Sequence, residues 1–313
     1  MDREKELLSA FQRGMFLSMK NPTYSEWFER FILDEIKADA GRKGDITSTA
    51  ILKGNTYLNA VVKSAAPGII AGIEEAVYLY RKNGIKAIPR KTDGSHAKKG
   101  EILLELYGKP SELLRIERSA LDIMQRMSGI ATLTSEIIKK IGNRVHIAPT
   151  RKTYWRYLDK KAVYLGGGLT HRLALWESIL IKDNHLTALK LEGVKDTISE
   201  ALRRAAKSPE KSGFIEIEVG NVKEAVKAAS ALKGIKYDRP KLVMLDNMKP
   251  SEIRKAIDEL KKRGFYDELL IEVSGGINAN NIGKYLIKGV DVISMGYLTN
   301  SSKPLDIKQA IVR

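Results

Sequence analysis

Two adjacent cations, Arg151 and Lys152, follow an apolar run in the stretch PTRKT at 149–153. A guanidinium presents a planar fork of donors and an ammonium a point charge, so the pair suits a carboxylate or a phosphate. The plain alternative is a solvated basic turn. A second cationic pair, His171 and Arg172, closes GGGLTHR at 166–172, where three glycines allow either close backbone approach to a ligand or merely a flexible corner. In ILIKDNHL at 179–186 an apolar run leads directly into Lys182, Asp183, Asn184 and His185. Such a loop after a buried strand is where a scaffold holds reactive groups. Lys182 would reach a phosphate or carboxylate, and Asp183 or His185 would orient it, unless Asp183 and Asn184 simply cap the next helix.

Acids close two further apolar runs, Glu218 in IEIEV and Asp246 in MLDNM, 28 residues apart. A carboxylate there is costly unless paired or metal-bound. With phosphate oxygens the two acids suit Mg²⁺, and salt bridges to Lys152 or Lys182 are the alternative. Glu216 shares the direction of Glu218 by alternation and is expected one layer lower. Ser274, Gly275 and Gly276 lead into Ile277 and Asn278 at an expected helix start, a phosphate cradle of amides, a hydroxyl and a helix N-terminus that Gly296 would close. The alternative is an ordinary glycine turn. Trp155 and Tyr157 beside the first cations raise base stacking on nucleic acid. His96 and His146 read as surface or core residues, and no zinc-binding histidine spacing occurs.

These groups need elements to hold them. The chain has 313 residues, room for two domains with a sizeable core, and 43% hydrophobic residues, an ordinary globular composition. With 54 Lys and Arg against 38 Asp and Glu, the net charge of +16 favours anionic partners. The absence of cysteine excludes disulfides and thiolate chemistry. MDREKELLSA lacks the pattern of a signal peptide and every apolar stretch is short of a membrane span, which points to a soluble cytoplasmic protein.

Residues 1–40 carry two helical patterns, followed by a turn at 41–45. Residues 57–106 read as small β segments around one helix at 73–83, a small α/β domain. From 111 to 141 the apolar spacing is helical, with Gly129 interrupting or joining two helices. Seven candidate strands then follow: VHIAPT, VYLGG, ILIKDNH, FIEIEV, LVMLDN, LLIEVSGG and VDVISMG. Helical stretches lie at 186–206, 221–232, 250–263 and 279–287. The polar groups end five different strands, an arrangement that a barrel brings to one mouth and an open sheet does not. The expectation is an α/β barrel of seven strands.

Taken in order, GDITS at 44–48, PGIIAG at 67–72, ERSALDIMQRMSGIAT at 117–132, TRKT, GGGLTHR, LIKDNH, EIEV, LDNM, VSGGIN and GVDVISMG resemble the quinolinate phosphoribosyltransferase family, also called nicotinate-nucleotide pyrophosphorylase (carboxylating). The resemblance implies an N-terminal α/β sandwich domain over 1–115 and an incomplete seven-stranded α/β barrel over 116–296. The tail, about 297–313, would pack on the first domain. It also implies that quinolinate and phosphoribosyl pyrophosphate give nicotinate mononucleotide, pyrophosphate and CO₂ for NAD synthesis, with Mg²⁺ as cofactor. Arg151, His171, Arg172 and Lys182 would line the quinolinate pocket. Lys152, Lys182, Glu218 and Asp246 would handle phosphoribosyl pyrophosphate, with Glu218 and Asp246 on the metal. Ser274, Gly275, Gly276 and Gly296 would hold the 5′-phosphate. Arg118 would enter the neighbouring subunit's site in a homodimer or a hexamer of dimers. Neither nucleic acid nor membrane is an expected partner.

One departure stands out, with two smaller ones. Tyr154, Trp155 and Arg156 replace a Thr-Pro-Gly-x-Arg stretch and leave the loop two residues shorter; Asp122 stands where the family often has Asn, and Glu177 where it often has Asp. The alternatives are a phosphoribosyltransferase for nicotinate or another pyridine or azole acid, and a non-catalytic anion- or nucleic-acid-binding protein.

Overall fold

The computed structural model describes residues 2–52, 56–210 and 212–312. In the first half, α1 (Arg3–Phe11), α2 (Pro22–Ala40) and α3 (Ile46–Ile51) precede β1 (Leu58–Ser64), β2 (Gly68–Ile69), α4 (Ile73–Lys82), β3 (Lys86–Pro89), β4 (His96–Ala97), β5 (Ile102–Gly108) and α5 (Pro110–Ile141). There follow β6 (His146–Ala148), α6 (Tyr157–Leu165), β7 (Ile179–Ile181), α7 (Asp183–Leu191), α8 (Thr197–Ala206), β8 (Ile215–Val219) and α9 (Val222–Lys233). The chain ends with β9 (Lys241–Asp246), α10 (Pro250–Lys262), β10 (Leu270–Ser274), β11 (Val292–Ser294), α11 (Tyr297–Asn300) and β12 (Ile307–Val312).

Two compact units result, and each is discontinuous. One comprises residues 1–13, 137–153 and 168–300; the other comprises 14–136, 154–167 and 301–313. The single boundary expected after residue 115 therefore falls inside α5, and the first thirteen residues belong with the second half of the chain. Sequence order hides this, because α1 buries its apolar Leu7, Ala10 and Phe11 in a cluster with residues of the later strands.

The first unit holds a parallel sheet in the order β6-β11-β10-β9-β8-β7. This is the α/β architecture expected, with six strands among the described residues. The seventh candidate, VYLGG, instead ends α6 in the other unit. Leu158, Ala162 and Leu165 recur there at helical spacing, which outweighs the local apolar run. In its place the segment after the three glycines runs beside the free edge of β6, where the Leu169 N–H donates to Ile147 O at 2.8 Å.

Pairing registers fix which residues share a face. Leu180, Glu216, Leu242 and Leu270 lie in one row, and His146, Val292, Glu272, Met244 and Glu218 in the next. Alternation puts both rows on one side of the sheet, with Asp246 and Ser274 one step beyond. At the strand starts that side is apolar, where Leu7, Ala10 and Phe11 pack with Ala148, Leu169, Phe214, Leu242, Leu270 and Val292. Helices follow the strands, although the stretch expected as one helix at 186–206 is two, broken by Gly193 at φ 86°. The expected helix at 279–287 is only a 3₁₀ turn, Ile282–Tyr285.

The second unit carries an antiparallel sheet in the order β12-β1-β5-β3, so the C-terminal tail pairs with β1 from Asn59↔Val312 to Ser64↔Ile307. Here α5 is one continuous helix. Gly129 neither breaks nor joins it; a Cβ at that position would lie 2.1 Å from the carbonyl oxygen of Lys303, where the tail crosses. The same unit buries Lys161 among Glu74, Glu75 and Asp93, at 2.7, 2.8 and 3.8 Å, with the Tyr24 hydroxyl donating to Glu75 at 2.6 Å. Asp93 also accepts the first amides of α4, those of Ile73 and Glu74.

Burial, and then the charge of Glu75, push the Asp93 carboxyl from 3.8 to about 6. A proton on Asp93 therefore favours the folded chain, and that contribution is full below about pH 4 and lost as pH rises through about 6. Relative to Asp93→Asn, wild-type stability measured by urea unfolding should fall by up to about 3 kcal/mol across this window. A difference that stays flat with pH contradicts the assignment.

Candidate active site

The parallel registers bring the carboxyl ends of six strands to one side of the first unit. Arg151 and Lys152 lie exposed in the turn after β6. That turn is fixed by the Lys152 N–H donating to Thr150 Oγ1 at 3.2 Å and by the Thr299 hydroxyl donating to Lys152 O at 2.8 Å. Gly296 sits against the same turn, its absent Cβ 3.4 Å from Thr150 Oγ1 and 3.8 Å from Lys152 Cδ. Lys182, directly after β7, pairs through Nζ with Glu218 Oε2 at 2.6 Å. The salt bridge weighed for Glu218 is therefore present, and it leaves Lys182 part-exposed. His185 Nδ1 accepts the Lys182 N–H at 2.9 Å and Asp183 Oδ1 accepts the Asn184 N–H at 2.7 Å, so both side chains hold the start of α7.

Glu218 and Asp246 lie on adjacent strands and on the same face. Both are part-exposed oxygen donors, the donor chemistry that a hard cation such as Mg²⁺ prefers. The glycine cradle is present without its expected helix. Gly275 and Gly276 take φ of 102° and 61°, a region that glycine enters freely. The turn packs against the one after β9, where the Asn247 N–H donates to Ser274 O at 2.9 Å. A Cβ on Gly275 would stand 2.3 Å from Asn247 Oδ1. Asn278 and Asn281 then bind each other's backbone in tight turns, so no α-helix starts there.

Below this rim lies a buried polar layer. His171, at φ 53°, is 5% exposed, and its Nε2 stands 3.2 Å from Glu272 Oε2 and 3.6 Å from Glu216 Oε2. Both glutamates are completely buried, and Ser294 lies beside them on the same face. Donor atoms of His171, Glu216 and Glu272 all fall within 4.8 Å of one another. Burial, and then the facing Glu272, hold the Glu216 carboxyl well above the usual carboxylate range, so the pair keeps a proton where two bare charges would repel. Glu216 is indeed one layer below Glu218. Glu272 and Ser294 escaped the sequence reading, although alternation with Leu270 and Ser274 was the available signal.

Arg172 is likewise only 5% exposed. Its Nη1 donates to Ser178 O at 2.8 Å, while its Nε is buried without a hydrogen-bond partner among the described residues. Burial, and then the positive charge of Arg151, pull the guanidinium below its usual value. Arg151 thus lies within electrostatic reach of Arg172, and the buried guanidinium has a donor to spare among the described residues.

The remaining expected residues lie in the other unit. Arg118 stands exposed on α5, paired with Asp122 at 3.3 Å, and lines a surface cleft of about 270 Å³ with Asp39, Asp45 and Arg115. Trp155 packs edge-on against Phe31 and Tyr157 against Trp27, so these rings form part of that unit's aromatic packing. The short Tyr154–Arg156 loop is held by Asp159, which accepts the Tyr154 and Trp155 amides at 3.0 and 3.3 Å and pairs with Arg126 at 2.7 Å.

Comparison with known proteins gives a consistent answer. Residues 45–128 match the family model described as quinolinate phosphoribosyl transferase, N-terminal domain, and residues 130–309 match its C-terminal domain. The chain is 38% identical over 285 residues to a probable nicotinate-nucleotide pyrophosphorylase [carboxylating] of Methanothermobacter thermautotrophicus, covering 90% of this chain and 97% of that one. It is 41% identical over 278 residues to the protein of the same description from Methanocaldococcus jannaschii, covering 86% and 92%. Among solved structures, nicotinate-nucleotide pyrophosphorylase from Ehrlichia chaffeensis superposes with a TM-score of 0.79 at 32% identity, covering 91% and 98%.

Because Gly275 has both a left-handed φ and no space for a side chain, Gly275→Ala should weaken binding of a phosphomonoester by about tenfold or more while the chain still folds. Calorimetric titration checks this, and undiminished affinity would remove the turn from the site.

Proposed function

The chain belongs to the quinolinate phosphoribosyltransferase family, and on that footing we propose that it converts quinolinate and phosphoribosyl pyrophosphate to nicotinate mononucleotide, pyrophosphate and CO₂ in NAD synthesis. The observation that carries the reading is the buried Arg172, whose Nε has no hydrogen-bond partner among the described residues, within electrostatic reach of Arg151. Two guanidiniums at one mouth suit a small dicarboxylate, and an unpartnered buried donor is costly until such a ligand arrives.

In this reading Arg151, Arg172 and Lys182 hold the two carboxylates and fix the ring so that its nitrogen faces C1′ of the phosphoribosyl group, with His171 in the pocket floor. Lys152 and Lys182 stabilise charge on the departing pyrophosphate. Ser274, Gly275, Gly276 and Gly296 cradle the 5′-phosphate. Glu218 and Asp246 would hold Mg²⁺, which when bound supplies positive charge beside the pyrophosphate oxygens. The ring nitrogen bonds to C1′ as the C1′–oxygen bond breaks. The nitrogen, now cationic, stabilises the electron pair left in the C2 σ orbital when CO₂ departs, a proton delivered from solvent then forms the C2–H bond, and no protein nucleophile is required.

The proposal extends to a cytoplasmic homo-oligomer, a homodimer or hexamer of dimers, in which Arg118 reaches a neighbouring site. The exposure of Arg118 supports this. No helix among the described residues is long and apolar enough to cross a membrane. The acids Glu218 and Asp246 at the mouth disfavour a nucleic-acid polyanion.

With Mg²⁺ present, quinolinate and phosphoribosyl pyrophosphate should yield nicotinate mononucleotide, pyrophosphate and CO₂ in equal amounts, with little turnover of nicotinate. Turnover of nicotinate alone would keep the transferase and change its substrate, and inactivity of the folded protein with both acids would sink the proposal. Arg151→Ala should lower kcat/KM for quinolinate by roughly 100-fold, about 2.7 kcal/mol of transition-state stabilisation. A near-wild-type value contradicts its role.

A further inference from the structure

The substrate-facing pair His171–Arg172 is flanked by residues that the N-terminal segment grips. Thr170, just before the pair, donates its N–H at 2.9 Å and its hydroxyl at 2.6 Å to Phe11 O, and its Oγ1 accepts the Arg13 N–H at 2.9 Å. Leu173, just after the pair, donates its N–H to Glu177, and the other oxygen of Glu177 accepts from Arg13 Nε at 2.7 Å. Between these two points the His171 imidazole stacks on Phe11, with ring centroids 4.3 Å apart and planes 17° from parallel. Phe11 and Thr170 have no exposed surface.

The far end of α1 is also held. Arg3 Nε pairs with Asp291 Oδ1 at 2.8 Å, and its guanidinium lies 3.9 Å from the centre of the Tyr266 ring. The helix is therefore tied at both ends, and its C-terminal end fixes the backbone on either side of His171 and Arg172. This matters because His171 occupies φ 53°, a strained region that a non-glycine residue keeps only when its surroundings enforce it. The ring orientation is enforced as well. Nδ1 accepts the Arg172 N–H at 2.7 Å, which leaves the proton on Nε2 facing Glu272 and Glu216. Residues 1–44 precede the stretch matched by the N-terminal family model.

We propose that Phe11 and Arg13 are positioning residues of the quinolinate pocket, which clamp Thr170, His171 and Glu177 so that Arg172 meets its carboxylate in a preset orientation. The inference rests on the reading in which Arg172 binds quinolinate. The contacts of Phe11 and Arg13 go to Thr170, His171 and Glu177, so the clamp is expected to act on quinolinate rather than on phosphoribosyl pyrophosphate.

The test compares steady-state kinetics of wild type, Arg13→Ala, Arg13→Lys and Phe11→Leu, varying each substrate separately. Arg13→Ala should raise KM for quinolinate by about fivefold or more and leave KM for phosphoribosyl pyrophosphate within about twofold, and Arg13→Lys should recover much of the loss. A merely structural role lowers the melting temperature without this split. Equal changes in both KM values, or none in a folded variant, would overturn the clamp. Should Phe11→Leu fail to fold, the more exposed Arg13 still decides the matter. The imidazole ¹⁵N spectrum reads the clamp independently of turnover. His171 should show a single tautomer protonated on Nε2 in wild type and lose that signature in Arg13→Ala or Phe11→Leu. An unchanged spectrum in both variants overturns the clamp, whereas a wild type that shows the signature but does not turn over quinolinate refutes the substrate reading alone.

Discussion

Two carboxylates in the interior of a parallel sheet must be neutralised where they stand, and Glu216 and Glu272 are completely buried. Taking such a charge out of water costs several kcal/mol, which only protonation, a nearby cation or a well-formed hydrogen bond offsets. Arg172 is the cation brought to this layer, His171 turns its Nε2 toward Glu272 at 3.2 Å, and Glu216 keeps a proton besides. That requirement accounts for the depth at which His171 and Arg172 sit. A mobile surface loop would leave the glutamates unmatched, so the GGGLTHR segment is drawn along the edge of β6 and its last two residues are fixed under the mouth.

Three levels follow from the same registers. The strand starts are apolar and meet α1, the middle is polar yet buried, and the strand ends open into turns bearing Arg151, Lys152, Lys182, Glu218, Asp246 and Ser274. Each level supports the one above. The floor excludes water from the middle layer, which strengthens every electrostatic interaction there, and the middle layer holds Arg172 without a full set of partners. A preformed, underserved guanidinium is a better receptor for a carboxylate than a flexible solvated one, because less ordering remains to be done on binding. The discontinuous units belong to this arrangement, since α1 comes from the start of the chain and serves strands that appear far later.

The rim was legible in the sequence because each of its groups follows an apolar run, and five such runs ending in polar residues imply one mouth. The ordered motifs made the family legible as well. Glu272 was less accessible, since a single acid inside LLIEVSGG looks like noise until its register with Val292 and Met244 is known. VYLGG was misread because an apolar run of three residues fits a helix end as well as a strand. Gly129 took its meaning from Lys303, a contact that no local pattern encodes. The cradle lost its expected helix to the Asn278–Asn281 turns, in which the asparagine side chains compete for backbone amides. The role of Phe11 and Arg13 depends on three-dimensional proximity to Thr170 and Glu177 and left no trace in spacing.

In the proposed reaction a buried, forked cation, Arg172, recognises the substrate's carboxylate. Calorimetric titration of quinolinate into wild type and into folded Arg172→Lys measures this directly. Lysine keeps the charge but loses the fork and the reach of Nε, so the variant should bind quinolinate at least about tenfold more weakly. Wild-type affinity in Arg172→Lys would contradict the account, because charge alone would then suffice.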